Sequence, residues 1–461
     1  MTCDPRAGSY GMKSNRALPF LCCPRRMRPR GVQSGVILAL SALLFAASAP
    51  CVHSREALED PVIHLRVLSN GLRILVHEHH AVPLVAVDLW IRAGSAEEAP
   101  NERGAAHFLE HLIFKGTPTR KPGEIDTAFE DLGASLSAGT TRDAAHFYTT
   151  VSSAHIANAL PVLADAIMHP LLDPVEVERE RGVILDELAR SSNDVRKAVL
   201  DGLFAALFPS SPYESPVLGT SQAIRAVSRT DIRHFYSHWY HPNNATLVFC
   251  GDITPDAAEA LAKQCFGSWE RTNLPALAPV SLAVPTSTSL CRMQGARPEV
   301  ALGFACPPAS DGASSAALAI FARAATVRQA NGHPLSGGSS AFVTFIPLRQ
   351  ASLLALDAPL EGQKGLSTLE HWLQDCMENI TDEDVETARR ELVGEYLYQT
   401  ETEGGMAAAL GEYDAMGDYG LLNGYVHRLQ SVPPSEVRTL VQRTLTKAPS
   451  VRVVMEPSTS P

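Results

Sequence analysis

The pentapeptide His107-Phe108-Leu109-Glu110-His111 carries the residue types and spacing most suited to chemistry. Histidines four apart on a helix lie one turn above each other on the same face, the separation at which two imidazoles can share one metal ion. Glu110 follows His107 by three residues, on a neighbouring part of that face, where its carboxylate can reach a metal-activated water without having to bind the ion. The set suits metal-assisted hydrolysis with the carboxylate as general base. Two imidazoles do not complete a catalytic zinc site, which generally takes a third protein ligand and keeps one position for water. A carboxylate from further along the chain is therefore required. The alternative is a surface helix with two solvated histidines. Phe108, Leu109 and Leu112 argue against it, because they imply burial and buried imidazoles need partners.

These residues need a helix and a sheet to hold them. Helical spacing runs from about Glu102 to Phe114, from Gly123 to Leu132 and from Ala154 to Met168, and Pro174 opens a charged helix that reaches about Arg190. Apolar alternation predicts strands over Val62 to Leu68, Leu72 to Val76 and Leu84 to Ile91, with Asn70-Gly71 turning between the first two. The chain also repeats itself. Ala226 through the strand at Thr246–Phe249 aligns without gaps, at an offset of about 205 residues, with Ser431 through Val451–Val454, and Pro83–Gly94 has a counterpart in Pro298–Pro307. The expected fold is α+β, in two related halves, each a mainly antiparallel sheet covered by helices. Residues 55–275 form the first, metal-bearing domain, the Pro/Ala/Leu-rich stretch 276–285 is the linker, and 286–461 form the second domain.

Composition narrows the function. A chain of 461 residues, 45% apolar and 19% charged, has the material for packed cores. Its 39 basic and 50 acidic residues give −11; residues 1–54 hold seven basic residues and one acid, so removing them leaves 32 against 49, or −17. No general attraction to phosphate backbones or anionic lipid follows, and nucleic-acid binding is excluded as a working reading. Residues 1–54 read as a secretory signal peptide, with Arg25, Arg26, Arg28 and Arg30 ahead of the apolar run Val36–Ala49, and Met27 offers an alternative start. That run is too short to span a bilayer comfortably, so the mature chain is expected to have no stable membrane span. An Arg-rich organellar presequence is the rival reading; the continuous apolar run argues against it. Cys250, Cys265, Cys291, Cys306 and Cys376 show no C-x-x-C spacing, so neither a zinc knuckle nor a thioredoxin-type site is indicated.

The segment Gly104-Ala-Ala-His-Phe-Leu-Glu-His-Leu-Ile-Phe-Lys-Gly-Thr117 resembles the signature of the pitrilysin/insulinase family of inverted-motif zinc peptidases, which includes the mitochondrial processing peptidase. Further matches are Asn70-Gly71-Leu72, Gly94-Ser95, the run Phe235–Val248 and Gly251-Asp252. The resemblance implies two halves enclosing a clam-like chamber, one zinc ion per chain, and a third ligand at Glu187 with His107 and His111. It gives Glu110 the catalytic base and Glu180 the auxiliary acidic role. Seven residues separate Glu180 from Glu187, which sets both on one helical face. In the substrate-binding edge strand the family's Leu-Asn-Ala is here Leu136-Ser137-Ala138, which makes Ser137 and Ala138 substrate-contact candidates. Many relatives carry an arginine and, seven residues on, a tyrosine that grip the substrate backbone. Gly337-Gly-Ser-Ser340 resembles the start of that segment and Arg349 matches the arginine, but Leu356 stands where the tyrosine belongs. The resemblance thus implies a zinc-dependent endopeptidase acting on peptides or unfolded segments. It further implies the zinc-bearing half of a heterodimer whose sister subunit supplies the arginine and tyrosine, exported to the periplasm of a Gram-negative bacterium. A non-catalytic scaffold of the same fold and an organellar presequence-processing subunit are the competing readings. His77-Glu78-His79-His80 is read as a loop rather than a metal tract, His146 as structural, and Arg142 and Asp143 as cleft-lining.

Overall fold

The computed structural model describes residues 60–191, 193–280, 289–336 and 338–457. The expected leader, part of the linker and Gly337 lie outside them. The first half runs β1 (His64–Val67), β2 (Arg73–Glu78), β3 (Leu84–Ile91), α1 (Ala105–Leu112), α2 (Glu124–Glu130), β4 (Ser137–Thr140), β5 (Ala145–Ser152), α3 (Ile156–Met168), α4 (Pro174–Ser191), α5 (Val195–Leu207), α6 (Ser221–Ala226), α7 (Arg229–Trp239), β6 (Ala245–Gly251) and α8 (Pro255–Phe266). The second runs β7 (Ser289–Gly295), β8 (Glu299–Cys306), α9 (Gly312–Ala330), β9 (Phe342–Ile346), β10 (Ser352–Ala358), α10 (Gly362–Asn379), α11 (Asp382–Gln399), α12 (Glu403–Ala415), α13 (Tyr425–Ser431), α14 (Pro434–Lys447) and β11 (Ser450–Pro457).

The fold is α+β, and the internal repeat is visible in strand order. One sheet reads β1-β2-β6-β3-β5-β4, the other β7-β11-β8-β10-β9. Apart from the extra β1, each begins with one parallel pair, β2 with β6 and β7 with β11, and continues antiparallel. The aligned sequence segments become α7 with β6 and α14 with β11, while β3 and β8 occupy the same central position.

Central strands apolar at nearly every position must be covered on both faces. On β3, Val85, Val87, Leu89 and Ile91 enter one core with α1, α3, α7 and α8, while Ala86 and Trp90 point the other way. That second face is covered by α12 of the opposite half, through Met406, Ala407 and Leu410. Conversely Val199, Leu203, Phe204 and Leu207 of α5 pack on Ala301, Ala305, Leu353, Ala355, Val451 and Val453 of the second sheet. Contact is close: a Cβ on Gly411 of α12 would lie 1.9 Å from Trp90 Nε1.

Each half therefore holds a helix of the other. A fully buried Val, Leu, Phe or Met side chain is worth ~1.5–3 kcal/mol, so the large side chains on the exchanged helices represent roughly 10 kcal/mol of gross burial. Cutting the connection at a protease site introduced between residues 280 and 289 is expected to leave both fragments co-eluting. Separation on a sizing column without denaturant would show that the connection, and not the exchanged helices, holds the halves.

One local expectation needs correction. His77 and Glu78 belong to the end of β2 rather than to a loop. His79 Nδ1 lies 2.6 Å from Glu403, and His80 bridges Glu78 and Asp252 at 2.8 and 2.7 Å, so these rings tie the end of the strand to its surroundings. Cys250, Cys265, Cys291, Cys306 and Cys376 are free thiols. No described helix is long and apolar enough to cross a membrane.

Candidate metal centre

The motif helix α1 starts at Gly104, which adopts φ 94°, a left-handed conformation favouring glycine; a Cβ there would also meet Ile224 Cδ1 at 2.3 Å. Gly104 has no side chain to cap the helix, and Glu98 supplies the cap from outside it. Its carboxylate accepts the N–H groups of Gly104 and Ala106, each at 2.9 Å. Burial pushes this carboxyl up to about 8, against the influence of its two donors. Glu98→Ala is expected to lose both acceptors, costing about 1–3 kcal/mol and loosening the helix that carries three of the site residues. Competition with a calibrated chelator should show weaker zinc binding for Glu98→Ala and near-normal binding for Glu98→Gln; equal affinity in all three proteins would remove Glu98 from the site's support.

On α1, His107 is buried and His111 half-buried, and α4 crosses alongside to bring Glu187 and Glu180. Glu187 Oε2 stands 3.8 Å from His107 Nε2 and 3.7 Å from His111 Nε2. Those separations exceed hydrogen bonds but suit three atoms around one ion, since tetrahedral zinc with bonds near 2.1 Å sets its ligands about 3.4 Å apart. His107, His111 and Glu187 form the one cluster of at least three metal-ligand side chains among the described residues. Burial, assisted by His111 and Lys197, lowers His107 to about 3, which keeps its ring neutral and its lone pair available. Two imidazoles and a carboxylate are a donor set that fits zinc.

Glu180 meets the other edge of His111. Its Oε2 lies 3.1 Å from His111 Nδ1 and its Oε1 3.1 Å from Lys115 Nζ. Burial opposes its ionisation, but hydrogen bonds from His111 and Lys115 hold it below the usual carboxylate range. It thus orients the His111 imidazole from behind and directs Nε2 toward Glu187.

Glu110 is held by a residue that sequence reasoning missed. Thr140, at the end of β4, donates its hydroxyl to Glu110 Oε2 at 2.6 Å. Burial raises the Glu110 carboxyl, and the Thr140 hydrogen bond works in the opposite direction. Nothing in the spacing marked Thr140, which lies 30 residues from its partner. Among the described strands β4 pairs only with β5, so Ser137 and Ala138 lie on a strand edge left free by the described residues, beside Glu110. His146, across β5, is stacked between Trp90 and Tyr148 and bonds Asp88 at 3.1 Å.

Arg349 is engaged elsewhere. Its guanidinium meets Glu97 and the Arg92 carbonyl, and its backbone N–H donates to Asp143 at 2.8 Å. Asp143 also accepts from Tyr213, while Arg142 lies over Phe204 of α5. These residues join the two halves, and Arg349 makes its hydrogen bonds and ion pairs among the described residues at that junction. Leu356, at the position that corresponds to the tyrosine of many relatives, is fully buried in the second core.

The family description Insulinase (Peptidase family M16) matches residues 73–221, and Peptidase M16 inactive domain matches residues 226–392. An uncharacterized zinc protease of Mycobacterium tuberculosis is 34% identical over 218 residues, 46% of this chain and 50% of the relative. The mitochondrial-processing peptidase subunit beta of Bos taurus is 34% identical over 229 residues, 49% of this chain and 46% of the relative. The chain thus spans about half the length of the curated relatives it matches. Among solved structures, a protease from Helicobacter pylori superposes with a TM-score of 0.77 at 21% identity, covering 86% of this chain and 100% of that one. The periplasmic protease PqqL from Escherichia coli gives 0.68 at 19%, covering 86% and 48%. With the two family models matched in order over residues 73–392 and the motif helix in the first, the chain belongs to the insulinase (M16) family of peptidases.

Proposed function

We propose that this protein is a zinc-dependent endopeptidase hydrolysing peptides or unfolded protein segments, and that it is the catalytic subunit of a heterodimer. The observation that carries the reading is the convergence of His107, His111 and Glu187 beside a half-buried Glu110 that Thr140 fixes at an open strand edge. When bound, zinc supplies Lewis acidity, polarising the scissile carbonyl and acidifying the attacking water. Glu110 takes the proton of that water and delivers it to the leaving amine. Thr140 occupies one carboxylate oxygen and leaves the other to carry the proton. The free edge of β4 receives the substrate as an added strand, so main-chain hydrogen bonds bind many sequences and the positions at Ser137 and Ala138 discriminate only weakly. Glu180 keeps the His111 ring in register through both steps.

Leu356 supports the divided site, since this chain offers no tyrosine there, and a sister subunit of the same fold would supply the arginine and tyrosine. The leader-like pattern in residues 1–54 supports export, to the periplasm of a Gram-negative bacterium. The test is turnover of a mixed quenched peptide library by the zinc-loaded chain, alone and with candidate sister subunits. Cleavage that depends on the sister establishes the pair; robust cleavage by the isolated chain at nanomolar concentration removes the heterodimer, and zinc binding without cleavage in any mixture favours a scaffold.

A further inference from the structure

Where the two halves meet, a cavity of about 290 Å³ is lined by Arg92, Trp239, Leu274, Leu277, Arg349 and Ala415, among others. Arg92 and Trp239 come from the first half, Leu274 and Leu277 from the stretch that leaves it, and Arg349 and Ala415 from the second half. Arg92 directly follows β3. Its main chain is fully used, with the N–H donating to Asn244 at 3.0 Å and the carbonyl accepting from Arg349 Nη1 at 3.4 Å. Its guanidinium is different: among the described residues it makes no hydrogen bond and no ion pair.

The nearby charges do not neutralise it. Asp414 attracts it, but that carboxylate already accepts two bonds from Arg73, at 2.7 and 3.3 Å, and one from Thr246 at 2.5 Å. Arg73 and Arg349 repel it, and with burial, the larger effect, they lower its affinity for its proton. Arg349 is committed to Glu97 and Asp143, and its Nε is itself buried without a partner. A partly buried guanidinium with unused donors, a second arginine beside it and an apolar wall of Trp239, Leu274, Leu277 and Ala415 is the composition of a ligand site rather than of a packed core. Guanidinium forks match the planar oxygens of carboxylates. At about 30 Å³ per water, the space equals roughly ten waters, enough for a small organic acid with an apolar body.

We propose that this cavity binds a small organic carboxylate, its charged end on Arg92 and its apolar body against Trp239, Leu274 and Leu277. The ligand would touch both halves and the connecting stretch at once, so its occupancy would hold the halves together. Two sources share this chemistry, a free organic acid and the C-terminal carboxylate of a peptide.

The experiment is calorimetric titration of the zinc-loaded protein, at constant ionic strength, with hexanoate, N-acetyl-leucine, N-acetyl-leucinamide and inorganic phosphate. Both acids should bind saturably if free acids are the ligand, and N-acetyl-leucine alone if a chain terminus is; the amide should not bind. Arg92→Gln should weaken the binding by about tenfold or more, the loss expected for a charge-assisted pair. Leu277→Asp provides a second variant at a position 42% exposed, where folding is not endangered, and its added negative charge should also weaken acid binding. Carboxylate binding at the zinc would be untouched by either substitution. No saturable binding of either acid below about 10 mM, equal affinity in both variants and the wild type, or binding of phosphate alone would overturn the assignment.

Discussion

Glu110→Gln is expected to lower peptide hydrolysis by about 10²–10⁴-fold, the range attributed to a positioned general base, while leaving zinc content and fold unchanged. Glutamine keeps the size of the side chain and can still accept the Thr140 hydroxyl, so the contact at 2.6 Å survives. What disappears is the capacity to take a proton. The three proposed ligand atoms belong to other residues, so metal analysis should return one zinc per chain for both proteins. This combination separates a base from a ligand: a Glu110→Gln protein that turned over peptides at the wild-type rate would refute the base assignment, and one that lost its zinc would move Glu110 into the coordination set. Kinetics should show the loss mainly in kcat, because binding of an added strand at β4 uses main-chain groups that the substitution does not touch.

Glu187→Ala is expected to abolish tight zinc binding, since it leaves two imidazoles where three ligands and an open position are needed. Glu180→Gln should behave differently. It removes the charge behind His111 and not a ligand, and outer partners of this kind are worth about 10–100-fold in metal affinity. The difference is readable without any substrate. Zinc at about 1,000 times its dissociation constant stabilises the folded chain by ~4 kcal/mol, so chelation should lower the melting temperature of the wild type by several degrees. Chelation should have the same sense but smaller size for Glu180→Gln, and no effect on Glu187→Ala. Equal chelator sensitivity in Glu187→Ala and wild type would place the third ligand elsewhere. His107 bears on the same measurement, because a ring kept neutral by burial gains little by giving up its metal to a proton until the solution is strongly acidic.

The sequence by itself determined whatever follows from helical and strand periods and from short-range order. Residues four apart on α1 had to share a face, residues seven apart on α4 had to do the same, and the internal repeat implied two related halves, each with its own sheet. Tertiary structure decided the rest, because the remaining contacts join residues far apart in the chain and have no period to reveal them. Thr140 reaches Glu110 across 30 residues, Glu180 takes the far edge of His111 across 69, and Arg349 meets Glu97 across 252, at the junction of the halves. The exchange of α5 and α12 was equally hidden. Both helices bear apolar residues suited to covering a sheet, and nothing in either one's own residues says which sheet it will cover. That choice belongs to the uncovered faces of β3 and β10, whose apolar runs, interrupted by Asp88 and Asp357, call for a partner on each side without naming it.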